Sequence, residues 1–232
     1  MEFITQIRKL SLWIFIIPFV AINLCLFIST NHHVFENTFL VVDQIGRSNP
    51  TFPYFDGGVS ISRTARTYPT YLIFKPSMIF ASFLLILYWV KTNKLINNLQ
   101  QFESKNLFKT FGILSAIFLI IHSIFLGIKF DYDLYKFFRR FVLLAFIIFE
   151  IVAQSLLVFR LFKLKSSIKD YFNNYALVLK IILVSILVVV AILSLPIVVT
   201  SGNVHFKHAL EWNYFVGVIL FYFFTYLFWK KI

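Results

Sequence analysis

Residues 175–199 read YALVLKIILVSILVVVAILSLPIVV. A run of about 20 mostly apolar residues is what it takes to cross the hydrocarbon core of a bilayer as an α-helix. In water such a run would have to be hidden inside a large core. In lipid it needs only to satisfy its own backbone hydrogen bonds, which a helix does. Five further stretches have the same character, at about 10–29, 70–90, 108–128, 138–160 and 211–229. The fold class expected is therefore an all-α polytopic membrane protein, a bundle of six transmembrane helices. One long outer loop, 30–69, would follow the first helix, and residues 1–232 would form a single membrane domain.

Composition agrees with that reading. Hydrophobic residues make up 59% of the chain and charged residues only 14%, against about a quarter in ordinary soluble domains. The mean hydropathy is +0.82. A net charge of +12 could point to nucleic acid. The Lys and Arg residues, however, flank the apolar runs instead of clustering on one polar segment, as they do in helices anchored among lipid headgroups. Nucleic acid is thus excluded as a partner, and membrane lipids are expected, with other membrane subunits as further candidates. The lone Cys25 supports neither a disulfide framework nor a thiolate metal site. The first run follows Arg8-Lys9, is long for a signal peptide and lacks a small-residue cleavage site, so a retained helix is expected.

Basic residues in the compact connections 91–109 and 160–169 place those segments, and both termini, on the cytoplasmic side. Trp89, Trp212 and Trp229 fall at predicted span ends, where an aromatic belt would put them. The 30–69 segment carries the turn signals Asn49-Pro50 and Asp56-Gly57-Gly58 and then the polar run Ser60–Thr67. A loop of that length on a small membrane protein is expected to be functional or to lie as a lid.

The run Ser62-x-Thr64-x-x-x-x-Pro69-x-x-x-x-Phe74, entering the second span, resembles the corresponding segment of the Frag1/DRAM/Sfk1 family. His122, in Ile121-His122-Ser123, resembles a histidine late in that family's third helix, and Glu211-Trp212 an acidic-aromatic pair opening its last one. The plan of one helix, a long outer loop and five more helices is similar too. Thr70 stands where the family usually has an acidic residue, and Arg63 and Arg66 make the segment more cationic than its pattern. The resemblance implies a six-helix protein acting in lipid remodelling, autophagy regulation or phospholipid organisation.

Several polar residues fall within or beside the spans. Glu150 lies in the middle of the fourth, with Gln154 four residues on and on the same helix face. At that depth a carboxyl costs about 2.5–3.5 kcal/mol on insertion scales, so it should face the bundle. It would serve either as a proton-handling or headgroup-contacting acid, or as a structural hydrogen bond. His122 lies toward the outer end of the third span and, as consecutive helices are neighbours, could approach Glu150. His205, His208 and Glu211 share one helical stripe. That spacing could hold zinc, but solvated interfacial histidines are commoner and no metal is assigned. Arg63, Arg66, Arg139 and Arg140 fall on the outer side, where guanidinium forks suit phosphate. Asp56, Asp131 and Asp133 could instead neutralise them. No nucleotide, hydrolase or metalloprotease motif is present, and no cofactor is implied.

The reading taken forward is an outward-facing polar pocket that binds a lipid headgroup, built from Ser62, Arg63, Thr64, Arg66, His122, Arg139, Arg140, Glu150, His208 and Glu211. A non-catalytic accessory subunit of a larger membrane assembly is the alternative. A small transporter ranks third, because only Pro196 interrupts a helix in the way such proteins use.

Overall fold

In the computed structural model, which describes residues 2–100, 107–128, 133–165, 170–200 and 202–230, the chain is helical almost throughout. The helices are α1 (Glu2–Thr30), α2 (Ile61–Ala65), α3 (Tyr71–Gln100), α4 (Leu107–Phe125), α5 (Asp133–Lys163), α6 (Asn174–Val199) and α7 (Val204–Phe228). All but α2 contain a segment long and apolar enough to cross a membrane, six among the described residues. The protein is a multi-pass integral membrane protein.

The six long helices form a ring. Each packs on the next in the order α1, α3, α4, α5, α6 and α7, and α7 closes back onto α1. Short connections make sequence neighbours into spatial neighbours. The lipid-facing sides stay apolar: Ile182, Ile186, Val189, Ile192 and Leu193 of α6 are all exposed on the isolated chain. Small residues allow close approach inside. Gly112 of α4 lies flat against the indole of Trp89, so near that a β-carbon there would sit 2.3 Å from the ring.

The helices outrun the apolar stretches that announce them. α1 begins at Glu2, α3 continues through the polar turns after Val90 to Gln100, and α7 begins at Val204. Hydropathy registers the bilayer-facing length, and a polar helical turn beyond it adds no signal. The aromatic belt is corrected by this. Trp89 and Trp212 are fully buried and Trp229 is 2% exposed, so all three are core residues instead of headgroup anchors. Pro196 is not the sole helix-internal proline either, since Pro18 lies inside α1 and Pro76 inside α3. Glu211 lies within α7 and does not open it.

Segment 31–70 is more than a connection. It holds 3-10 turns at His32–Phe35 and Gln44–Gly46 as well as α2. Ser60 caps α2, accepting a hydrogen bond from the Arg63 amide at 3.1 Å. The segment is tied down on α1, where the Ser48 amide donates to the Ser29 carbonyl at 3.1 Å and Tyr54 to Asn23 at 3.0 Å, and on α7. Trp212 Nε1 donates to the Val59 carbonyl at 2.8 Å, Asn213 donates to the Tyr54 carbonyl at 2.7 Å, and His208 Nδ1 lies 2.9 Å from the Gly57 carbonyl oxygen. Gly57 has φ +60° and presses so close to the His205 backbone that a side chain has no space.

Candidate functional site at the capped end of the bundle

The residues singled out from sequence separate into three groups. The first lies where α2 meets α7. Glu211 accepts hydrogen bonds from the backbone N–H groups of Ser62 and Ile61, in the first turn of α2. A carboxylate there matches both the unpaired amides and the positive end of the helix. His208 is occupied by Gly57. His208 and Glu211 are therefore spent on holding segment 57–62, the His205 side chain is exposed, and among the described residues no three His, Cys, Asp or Glu side chains come together as metal ligands. Thr64 is buried and bonds within α2, to the Ile61 carbonyl at 2.8 Å. Arg63 turns away from α7 and spends its guanidinium on the carbonyls of Ile45 (3.1 Å) and Arg47 (3.3 Å).

The second group lies one turn on, where Arg66, just past α2, meets Gly127. Gly127, just past α4, packs against the Arg66 carbonyl, which a β-carbon at Gly127 would approach to 2.7 Å. Arg66 is exposed at its tip. Partial burial first, and then the neighbouring guanidiniums of Arg139 and Arg63, hold its pKa below the ordinary arginine value. Arg139 also acts electrostatically on His122. Arg139 thus lies within electrostatic reach of both Arg66 and His122, and the three border one junction of three segments, the crease, whose positive charge is carried by the two guanidiniums. Among the described residues the one ion pair is Arg47–Glu36, at 3.3 Å, and it lies elsewhere. The Nε of Arg139 is buried with no hydrogen-bond acceptor among the described residues, while its guanidinium lies over the Tyr135 ring at 6.0 Å. Arg140 is exposed. Asp131 lies outside the described residues, as does the side chain of Asp133.

Glu150 stands apart as the third group. It is 1% exposed at the centre of the ring and accepts hydrogen bonds from Ser115 Oγ (2.5 Å), Gln154 Nε2 (2.9 Å) and the Tyr222 hydroxyl. Bonds to a charged or polarised carboxyl contribute about 1.5–3 kcal/mol each, so three of them offset the insertion cost of about 2.5–3.5 kcal/mol. His122 is not among its partners. Ser115 is seven residues down α4 from His122, about 10 Å along the axis, and α5 meets α4 there at Glu150. Of the ten sequence candidates, then, the structure brings Arg66, Arg139 and His122 together, and it separately joins Ser62 and Glu211.

Sequence reasoning passed over Lys180. It is fully buried in α6, donates to Thr225 Oγ1 at 2.8 Å and sits 4.0 Å from the centre of the Phe221 ring. Its signal was in the first run quoted above, where it is the one charged residue among 25. Comparison with known proteins yields no matching family model, curated protein or solved structure.

Proposed function

We propose that the protein binds the phosphate of a lipid headgroup at the crease formed by Arg66, Arg139 and His122, and acts in lipid remodelling or lipid organisation. The observation that carries this reading is the pair of like charges. Arg66 and Arg139 come from different elements and lie within electrostatic reach, and Arg139 keeps a buried Nε without an acceptor among the described residues. Two guanidiniums held together repel, and a phosphate between them relieves that repulsion while offering paired acceptors to both forks. The crease faces the side opposite the termini. With the basic connections 91–109 and 160–169 on the cytoplasmic side, it opens to the outer leaflet. The similarity to Frag1/DRAM/Sfk1 proteins around Ser62–Phe74 favours the same class of role.

The test is lipid retention. Full-length protein purified in detergent, mixed with an equimolar set of anionic and zwitterionic phospholipids and weighed by native mass spectrometry, should retain phospholipid. R66Q/R139Q should retain roughly tenfold less, the loss expected for a hydrogen-bonded charge contact. Equal retention by the two proteins refutes the site. So does a gain in retention on D131N/D133N, because the arginines would then be neutralised within the chain.

A further inference from the structure

Lys180 and Glu150 are ionisable residues in the middle of a membrane bundle, and neither belongs to the crease at the capped end. A row of hydroxyl groups lies between them. Lys180 Nζ donates to Thr225 Oγ1 at 2.8 Å, and the Tyr88 hydroxyl lies 3.4 Å from the same oxygen. The rings of Tyr88 and Tyr222 meet edge to face with centroids 5.0 Å apart, and the Tyr222 hydroxyl donates to Glu150 Oε1. Tyr88 also lies within electrostatic reach of the Glu150 carboxyl. Every member of this chain is at most 1% exposed. The titratable groups facing it, among the described contacts, are Tyr88 from α3, Glu150 from α5, Lys180 from α6 and Tyr222 from α7. α4 contributes the Ser115 hydroxyl and α5 the Gln154 amide.

We propose that this chain is a proton route, in which Lys180 and Glu150 exchange one proton through Thr225, Tyr88 and Tyr222. The balance is simple. Lys180 as ammonium passes a proton to the Thr225 oxygen while the Thr225 hydroxyl proton, turned from the Phe221 carbonyl it now faces, moves to Tyr88. Tyr88 passes its own proton to a bridging water, that water passes one of its protons to Tyr222, and the Tyr222 proton lands on Glu150 Oε1. An ammonium and a carboxylate become an amine and a carboxylic acid. Net charge is unchanged, and nothing is oxidised or reduced. Both forms are therefore admissible in a medium that penalises isolated charge. The link between Tyr88 and Tyr222 has no direct hydrogen bond among the described contacts, and one bridging water would complete it.

The route ends near the surface that carries the termini. Lys180 is six residues into α6, about 9 Å of helix. Above it the ring of Phe228 lies 5.4 Å from Nζ and stacks on Phe172. Phe172 in turn lines an open cleft of about 700 Å³, together with Arg8, Asp170, Asn173 and Lys230. Protons from solvent in that cleft are one aromatic pair away from Lys180.

Full-length protein in lipid nanodiscs, moved rapidly into D2O and followed by infrared spectroscopy, reads this directly. A protonated carboxyl band that disappears in E150Q belongs to Glu150. Its hydrogen-to-deuterium exchange should slow in K180M and in T225V by roughly tenfold or more, the effect of losing a link as strong as a hydrogen bond to a charged group. Backbone amide exchange in the same spectra shows whether a variant has loosened. Loosening accelerates exchange, so a slowed carboxyl cannot come from a damaged fold. If K180M does not fold, T225V and Y88F carry the test. Unchanged carboxyl exchange in the folded variants overturns the proposal. So does slowing in T225V with none in folded K180M, or the absence of a protonated Glu150 band in the wild type.

Discussion

Trp212 Nε1 hydrogen-bonds the carbonyl of Val59, 2.8 Å away across 153 residues of sequence. The bond fixes segment 31–70 to the face of α7 one residue past Glu211, whose carboxyl holds the first turn of α2. Together they set where Arg66 emerges toward α4 and α5. The crease therefore depends on α7.

Replacing Trp212 with Phe keeps most of the buried ring area and removes the donor. The Val59 carbonyl is left unsatisfied in a buried place, which costs about 1–3 kcal/mol. Limited proteolysis should then cut within residues 47–60 faster than in the wild type, with the six spans left intact. Equal cleavage rates would mean that the bond holds nothing.

Asp56 organises the same segment from within. Its carboxylate accepts from Thr51 Oγ1 (2.5 Å) and from the amides of Phe52 and Gly58, both 2.8 Å. The Thr51 bond first, then the amide bonds, hold its pKa below the usual aspartate value. A lowered folded-state pKa contributes stability above the unfolded value and loses it as pH falls through the folded one. The turn should consequently be intact at neutral pH and loosen only below about pH 4, near the free aspartate value. D56N should remove that acid dependence, which hydrogen exchange of the 51–58 amides across pH would record.

Gly112 tests the packing of α3 on α4. A valine there would put branched carbons into the Trp89 indole, and overpacking of a dense interior costs about 1–3 kcal/mol. G112V should lower the thermal unfolding midpoint in detergent. G112V/W89L, with the indole gone, should recover part of the loss.

Six spans were legible because an apolar run of about 20 residues has one economical solution, and α6 illustrates it. The same averaging hid Lys180, since one lysine among 25 residues hardly moves a mean. Trp89 was misplaced for a related reason: α3 continues in helix well beyond its apolar part, leaving the indole inside the ring. At the site, the arginines were recognisable by type and by side. Which of them would remain free was not. Arg63 is consumed by the Ile45 and Arg47 carbonyls, contacts set by loop backbone geometry that residue identity does not encode.

Sidedness has a direct measure. Cys25 is fully buried, so the native thiol gives little labelling background. In intact cells, a cysteine replacing Ser48 should react with a membrane-impermeant maleimide, and one replacing Asn98 should react only after permeabilisation. Reaction of both from outside contradicts six crossings, and the reverse pattern would turn the crease toward the cytoplasm.

Glu150 separates a structural carboxyl from a replaceable one by the order of three variants. Glu150→Gln keeps the shape, and its carbonyl in the Oε1 position still accepts from Gln154 and the Tyr222 hydroxyl, while its NH2 takes the Oε2 position and meets Ser115 Oγ. Ser115 then keeps its own proton on the Gly112 carbonyl, 2.8 Å away, and its bond to a carboxylate oxygen is given up. The expected loss is about one hydrogen bond, roughly 1 kcal/mol. Glu150→Ala strands all three donors and leaves a cavity, and should cost several-fold more. Glu150→Leu fills the space but satisfies none of the donors, so it should fall between the other two. Unfolding in detergent against a chemical denaturant gives the ranking Gln, Leu, Ala in increasing damage. If Leu proves as stable as the wild type, the bonds to Ser115, Gln154 and Tyr222 contribute nothing net, and the carboxyl is retained for something other than holding the bundle together.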